Sequence, residues 1–140
     1  MLDTNILIYL IKNKPPFVAE RVNALGSEAQ LCMSFFTFAE LLMGAERSTR
    51  KPDVLRRLDA LSRVVPVQYG VNRTICDRYA VLFTQLRSAG TPIGANDLWI
   101  ASHALADDCT LVTNNLREFK RVEGLRLENW AESVEFRPTD

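Results

Sequence analysis

Residues 31–47, LCMSFFTFAELLMGAER, place a short apolar run directly before a segment with helical periodicity. The run 31–34 has the character of a buried strand, and the pattern after it predicts a helix from about Thr37 to Arg47. Similar apolar runs at 64–67, 110–112 and 125–127 alternate with longer helical segments. Because strands that alternate with helices form parallel βαβ units, we expect an α/β fold: a central parallel sheet flanked by helices on both faces.

The segments between these runs carry apolar residues at helical spacing. Predicted helices cover 4–12, 17–25 with Gly26 as its C-terminal cap, 37–47, a segment that opens at Pro52, 71–89 and 96–106. Met1 and Leu2 form the predicted first strand. The length of 140 residues fits one domain with a full core, so we expect residues 1–140 to form a single domain.

Composition excludes several classes of protein. No run approaches the roughly 20 apolar residues of a membrane span, and the N-terminus lacks the basic and apolar regions of a signal peptide. We therefore expect a cytoplasmic protein with no membrane partner. Three separated cysteines and one histidine, His103, argue against structural zinc sites and disulfide frameworks. No serine is expected to pair with His103 as a nucleophile, and His103 is interpreted as a packing or surface residue.

Three acidic residues are expected at helix N-termini, on the sheet edge where parallel sheets bind ligands. Asp3 follows the first strand, Glu40 is expected in the first turn of the next helix, and Asp97 opens the helix 96–106. Taken singly, a capping box from Thr37 to Glu40 and the dipoles of helices explain these acids. Taken together, converging carboxylates repel one another, and Mg²⁺ or Mn²⁺ bound by oxygen ligands would relieve that repulsion.

Four blocks of sequence occur in a specific order: LDTN (2–5), FAEL (38–41), IGANDLWIA (93–101) and LVTNNLREF (111–119). On these blocks, nearly the whole chain resembles the PIN-domain toxins of the VapC type. The resemblance implies a small α/β fold and an endoribonuclease that depends on Mg²⁺ or Mn²⁺. Carried over by motif, Asp3, Glu40 and Asp97 take the family's acidic positions, as catalytic residues and as metal ligands.

The last block departs from the fullest family pattern, because Asn115 stands where many members have aspartate. Asparagine offers a carbonyl oxygen but no charge, so this replacement of aspartate affects the expectation of a second metal site more than that of the first. Asn115 and Glu118 are additional candidate ligands; the alternative for Glu118 is a solvated residue beside Arg117. Thr4 and Thr113 are candidate hydroxyls that orient the carboxylates, with a helix cap as the alternative for Thr4.

The resemblance also implies a few apolar residues before Leu2, which fill the first strand in the family. We therefore expect either a misplaced start codon or a trimmed chain, rather than Met1 as the native start.

Charge placement is more informative than total charge. Seventeen basic and seventeen acidic residues cancel, yet residues 47–63 contain six basic residues and only two acidic ones. The candidate RNA-binding residues in this segment are Arg47, Arg50, Lys51, Arg56 and Arg57. The alternative is an exposed helical hairpin with solvated charges.

The resemblance implies partners as well. VapC-type toxins pair with a VapB antitoxin, form homodimers within larger hetero-oligomers, and reach operator DNA only through the antitoxin. Their usual substrate is structured RNA, often tRNA, and residues 11–15 resemble the branch that acts on the anticodon region of initiator tRNA. Two alternatives stay open: a PIN nuclease of RNA processing without an antitoxin, and an RNA- or protein-binding module with weakened catalysis.

Overall fold

Short parallel strands run side by side through the centre of this computed structural model, which describes residues 1–132. The strands are β1 (Met33–Ser34), β2 (Val67–Gln68), β3 (Leu111–Val112) and β4 (Leu127–Glu128). β1 pairs with β2, and β3 pairs with β4. The N-terminal segment, residues 1–3, lies between the two pairs, because Leu2 donates to the Cys32 carbonyl and bridges Val112. The predicted central parallel sheet is confirmed.

Seven helices surround this sheet within residues 1–132. They are α1 (Thr4–Lys12), α2 (Pro16–Asn23), α3 (Phe35–Glu46), α4 (Lys51–Val64), α5 (Arg73–Ser88), α6 (Ala95–Ala106) and α7 (Leu116–Phe119). The bounds of α1 match the prediction, whereas Gly26 is not a helix cap, because α2 ends at Asn23 with Ala24 in the capping position. None of these helices has both the length and the apolar character needed to cross a membrane.

Two buried clusters occupy the two faces of the sheet. Successive strand residues point to opposite faces, so Met1 and Leu111 enter one cluster while Leu2 and Val112 enter the other. The first cluster also contains Leu82, Leu86, Leu98, Ile100, Ala101 and Ala104 from α5 and α6. The second contains Ile6, Leu7, Val18, Leu41, Ala45 and Leu58 from α1 to α4. Burial on both faces fixes the end of the N-terminal segment and the helices α3 and α6, which together carry the three acidic residues.

Aromatic packing joins α3, α5 and α6. The Trp99 ring stacks on Tyr79 at 3.7 Å and on Phe36 at 5.4 Å between ring centroids. Such aromatic pairs contribute about 0.5–1.5 kcal/mol beyond their buried area. Trp99 is therefore part of the packing that positions α6, the helix that carries Asp97.

Candidate active site

Asp3, Glu40 and Asp97 lie at the carboxyl edge of the sheet, Asp3 at the end of the N-terminal segment and the other two on helices. Asp3 is the N-cap of α1, and Asp97 lies in the first turn of α6. Glu40 lies in the second turn of α3 rather than the first, because that helix begins two residues earlier than predicted, at Phe35. After burial, the charge of Asp3 raises the pKa of both Glu40 and Asp97, so the three carboxyl groups lie near enough to interact electrostatically.

The capping-box interpretation of Glu40 is wrong. Ser34 is the N-cap of α3, and its hydroxyl accepts a hydrogen bond from the Phe36 N–H at 3.2 Å. Thr37 is buried inside the helix, where its hydroxyl has no hydrogen-bond partner among residues 1–132. Glu40 Oε1 is also buried and lacks a partner within the same residues. Because a buried carboxylate oxygen without a donor is costly, Glu40 Oε1 indicates a ligand that the protein itself does not supply.

Two threonine hydroxyls hold the carboxylates in place. Thr113 donates to Asp3 Oδ2 at 2.8 Å, while the Thr4 N–H donates to Asp3 Oδ1 at 2.8 Å. The Asn115 N–H in turn donates to Thr113 Oγ1 at 3.0 Å, which leaves the Thr113 proton for Asp3. The Thr4 hydroxyl donates to Glu40 Oε2 at 3.3 Å. The N-terminal segment, α3 and the end of β3 are thereby linked at the site.

Burial and mutual repulsion raise the pKa of each acid. Desolvation is the main cause for Asp3, and its bonds from Thr113 and Thr4 oppose the rise. For Glu40 the causes are burial and then the Asp3 charge. For Asp97, burial, the Asp3 charge and the neighbouring Glu118 raise the pKa to about 7. None of these carboxylates forms an ion pair with a basic residue in the described part of the chain. The site therefore carries uncompensated negative charge.

Helix α7, which the sequence pattern did not predict, adds a further carboxyl group. It places Glu118 beside Asp97, where this neighbouring carboxyl group helps, after burial and the Asp3 charge, to raise the pKa of Asp97. Asn115 is the N-cap residue of α7, next to Thr113. The structure thus places Glu118 against the acidic cluster, although Asn115 contributes no charge there.

The donor set suits a hard divalent cation. Carboxylate, amide and hydroxyl oxygens are the ligands that Mg²⁺ and Mn²⁺ prefer. Within residues 1–132, no three acidic, histidine or cysteine side chains already converge in a metal-holding arrangement. The unpartnered Glu40 Oε1 and the raised pKa of Asp97 fit a site that tightens around a cation.

The PIN domain family model matches residues 1–125 of the chain. The chain is 45% identical over 130 residues to Ribonuclease VapC1 of Haemophilus influenzae strain R2866, which covers 93% of this chain and 96% of that protein. The chain belongs to the PIN-domain family, in its VapC branch. The resemblance carried by the four sequence blocks is confirmed.

Two further VapC relatives agree with this membership. The tRNA(fMet)-specific endonuclease VapC of Salmonella typhimurium is 39% identical over 131 residues, covering 93% of this chain and 96% of that one. The solved structure of VapBC2 from Rickettsia felis, bound to a DNA fragment from their promoter, superposes with a TM-score of 0.87. That match is 38% identical and covers 93% of this chain and 97% of the other. The α/β fold is therefore the fold of VapC proteins.

A groove in this VapC-family chain joins the acidic site to the basic segment. It has a volume of about 460 Å³ and runs between α1, α3 and α4, with Glu40 and Arg57 among its lining residues. Part of the nearby positive charge is balanced, because Arg56 and Arg57 both contact Asp53 at 3.4 Å and Lys51 contacts Glu46 at 2.7 Å. No pattern in the sequence predicts this groove, because it depends on how three helices pack against one another.

One buried polar contact contradicts the sequence-based expectation. Ser34 Oγ lies 2.8 Å from His103 Nδ1, so a serine does contact the histidine of this chain. Both residues have no solvent exposure, which denies a substrate access to the serine. His103 is a packing residue, as one of the two sequence-based interpretations proposed.

Proposed function

We propose that this chain is the toxin of a type II toxin–antitoxin pair and an endoribonuclease that depends on Mg²⁺ or Mn²⁺. The observation that carries the proposal is the buried, unpartnered Glu40 Oε1, which lies in a cluster of carboxylates that repel one another. A divalent cation would satisfy that oxygen and offset the repulsion. The VapC family membership supports ribonuclease chemistry for the same cluster.

Asp3, Glu40 and Asp97 would hold the cation, with Glu118 and the Asn115 carbonyl as additional oxygen donors. When bound, the cation supplies Lewis acidity, which lowers the pKa of water and stabilises charge on the phosphate. The protein contributes orientation: the Thr113 hydroxyl aims Asp3, and the Thr4 hydroxyl aims Glu40. Hydrolysis by water would leave a 5′-phosphate and a 3′-hydroxyl on the RNA products.

The Asp97 carboxyl also controls a proton at the site. With its pKa raised to about 7 by burial, the Asp3 charge and the neighbouring Glu118, the Asp97 carboxyl is partly protonated near neutral pH. Ligand oxygens must be deprotonated to bind a cation, so that proton leaves when the cation binds. Metal affinity is therefore expected to rise with pH through about 7.

Structured RNA is the proposed substrate, with tRNA favoured and the anticodon region of initiator tRNA as the specific target. Support comes from the relative named as a tRNA(fMet)-specific endonuclease, at 39% identity. The basic segment beside the groove would bind the phosphate backbone, since lysine and arginine supply the main affinity for nucleic acids. The proposed contacts are Arg47, Arg50, Lys51, Arg56 and Arg57.

The proposed protein partner is a VapB-type antitoxin, and the proposed assembly is a homodimer within a toxin–antitoxin hetero-oligomer. Support comes from the VapBC2 structure of Rickettsia felis, whose toxin superposes on this chain. That structure also contains promoter DNA, and we propose that operator DNA binds this protein only through its antitoxin.

A cleavage assay tests the enzymatic proposal. End-labelled initiator tRNA and an elongator tRNA are incubated with the protein in Mg²⁺ or in EDTA, beside Asp97→Asn and Asp53→Asn. Asp53 is the matched control, because it occupies the same position in the first turn of α4 that Asp97 occupies in α6. We expect cleavage of initiator tRNA by the wild type and Asp53→Asn in Mg²⁺ only. Cleavage by Asp97→Asn in EDTA would contradict the proposal.

A further inference from the structure

Two buried side chains and the carboxylate of an exposed residue form a polar chain that connects α3 to α6 away from the acidic cluster. Ser34 Oγ lies 2.8 Å from His103 Nδ1, and His103 Nε2 lies 3.1 Å from Asp107 Oδ2. The contact with Asp107 has an ion-pair distance without well-aligned hydrogen-bond geometry. Ser34 and His103 have no solvent exposure, so this Ser–His–Asp arrangement meets no substrate.

The hydrogen-bond inventory assigns the proton of the imidazole. Ser34 Oγ already accepts from the Phe36 N–H, so its hydroxyl proton is available for His103 Nδ1. The carboxylate of Asp107 can only accept, which favours a proton on His103 Nε2. Burial lowers the pKa of His103, and the Asp107 charge opposes that effect. The arrangement favours a neutral imidazole that accepts from Ser34 and whose Nε2 proton lies on the side of Asp107.

The two ends of this contact belong to the helices that carry two of the proposed metal ligands. Ser34 caps α3, the helix that carries Glu40, and His103 lies in α6, the helix that carries Asp97. The Phe35 and His103 rings also pack at 5.7 Å between centroids. An N-cap residue determines where a helix begins and how it is oriented, so a bond to the cap constrains the whole helix.

We propose that His103 is a positioning residue that, through Ser34, sets the distance between the Glu40 and Asp97 carboxylates. The inference rests on the proposed metal site, since it concerns how two of its ligands are held. Loss of a group that bonds directly to a metal ligand typically lowers metal affinity by about 10- to 100-fold. Ser34 does not bond to a proposed ligand itself but caps the helix that carries one, so a smaller effect is expected. Loss of the contact is therefore expected to weaken metal binding about 3- to 10-fold.

The first test compares two buried serines. Mn²⁺ is titrated into untagged wild type, Ser34→Ala and Ser102→Ala, and binding is followed by calorimetry. Ser102 is the matched control, because it is equally buried but its hydroxyl donates to Leu98 O of its own helix at 2.7 Å. We expect Ser34→Ala to bind Mn²⁺ about 3- to 10-fold more weakly and Ser102→Ala to bind within about twofold of wild type.

The second test uses the imidazole of the wild type and so does not depend on the folding of a variant. His103 is the only histidine in the chain, so its ¹⁵N resonances need no assignment. We expect the tautomer with the proton on Nε2. We also expect the imidazole ¹⁵N resonances to shift as Mg²⁺ is added, with a midpoint at the same Mg²⁺ concentration as the midpoint of metal binding. A proton on Nδ1, or resonances that saturating Mg²⁺ leaves unmoved, would overturn the inference.

The outcomes separate the two proposals. Equal losses of Mn²⁺ affinity in Ser34→Ala and Ser102→Ala would overturn the positioning role and leave the metal site intact. A wild type that binds no Mn²⁺ would overturn the proposed function together with this inference. Selective loss in Ser34→Ala, with the expected tautomer, supports both.

Discussion

Removal of the Asp97 charge should stabilise the metal-free protein at alkaline pH. In Asp97→Asn an amide of nearly the same shape replaces a carboxylate whose pKa is raised to about 7 by burial, Asp3 and Glu118. An acid with a raised pKa stabilises the fold below its ordinary pKa, and that contribution is lost as the pH rises through its folded value. Wild type in EDTA should therefore lose stability between pH 5 and pH 8, and Asp97→Asn should lose less.

The size of the effect follows from the position of Asp97. Its pKa lies roughly three pH units above the ordinary 3.8, and one pH unit corresponds to about 1.4 kcal/mol, so the upper limit is about 4 kcal/mol. Partial solvent exposure of Asp97 and relaxation of the acidic cluster reduce this stabilisation of the variant. The variant also loses the favourable interaction of the Asp97 charge with the N-terminus of α6, which lowers its stability by about 0.3–1 kcal/mol. We expect a net gain of about 1 kcal/mol at pH 8 and none at pH 5.

Urea denaturation in EDTA at pH 5, 6, 7 and 8 measures this difference. The control is Asp53→Asn, at the same helical position but paired with Arg56 and Arg57, which should be neutral or slightly destabilising at every pH. In saturating Mg²⁺ the order of wild type and Asp97→Asn should reverse, because binding stabilises the wild type. An Asp97→Asn variant less stable than wild type at pH 8 in EDTA would refute the repulsion argument.

Three further perturbations test other parts of the site. Thr113→Val removes the donor to buried Asp3 and should lower the free energy of unfolding by about 1–3 kcal/mol in urea denaturation; an unchanged stability would contradict the orienting role. Glu118→Gln removes a neighbouring charge, so the pKa of Asp97 should fall in a ¹³C carboxyl titration, and a rise would be inconsistent with the coupling. Arg56→Glu with Arg57→Glu should weaken RNA binding and reduce the salt slope by about one per lost phosphate contact; unchanged filter binding would exclude the basic segment.

Short-range signals in the sequence were sufficient for most of the fold. The apolar runs and the helical periods between them predicted parallel strands with helices on both faces, and α1 has the predicted bounds. Boundaries failed where capping chemistry decides them. Helix α3 begins at Phe35 because the Ser34 hydroxyl caps it, and Val64, predicted to start a strand, is the last residue of α4.

The candidate site was predictable as far as position along each strand determines it. Asp3 directly follows the N-terminal sheet segment, so its place at this edge follows from the topology. Asp97 follows helix α5 and a loop, so its proximity to Asp3 depends on how α6 packs. Thr4, which orients Glu40, is separated from it by 36 positions along the chain. Ser34 and His103, which contact each other, are separated by 69 positions. Such contacts arise from packing between helices, for which periodicity within one segment carries no information.

The most direct test of the metal site is anomalous diffraction from crystals of the wild-type protein soaked in MnCl₂. The acidic cluster predicts a Mn²⁺ peak with carboxylate oxygens of Asp3 and Asp97 as ligands, and with Glu40 Oε1 turned to the ion or to one of its waters. The same soak of Asp97→Asn should lose most of that peak. A wild-type crystal with no anomalous peak at the cluster, or with equal peaks in both proteins, would contradict the assignment.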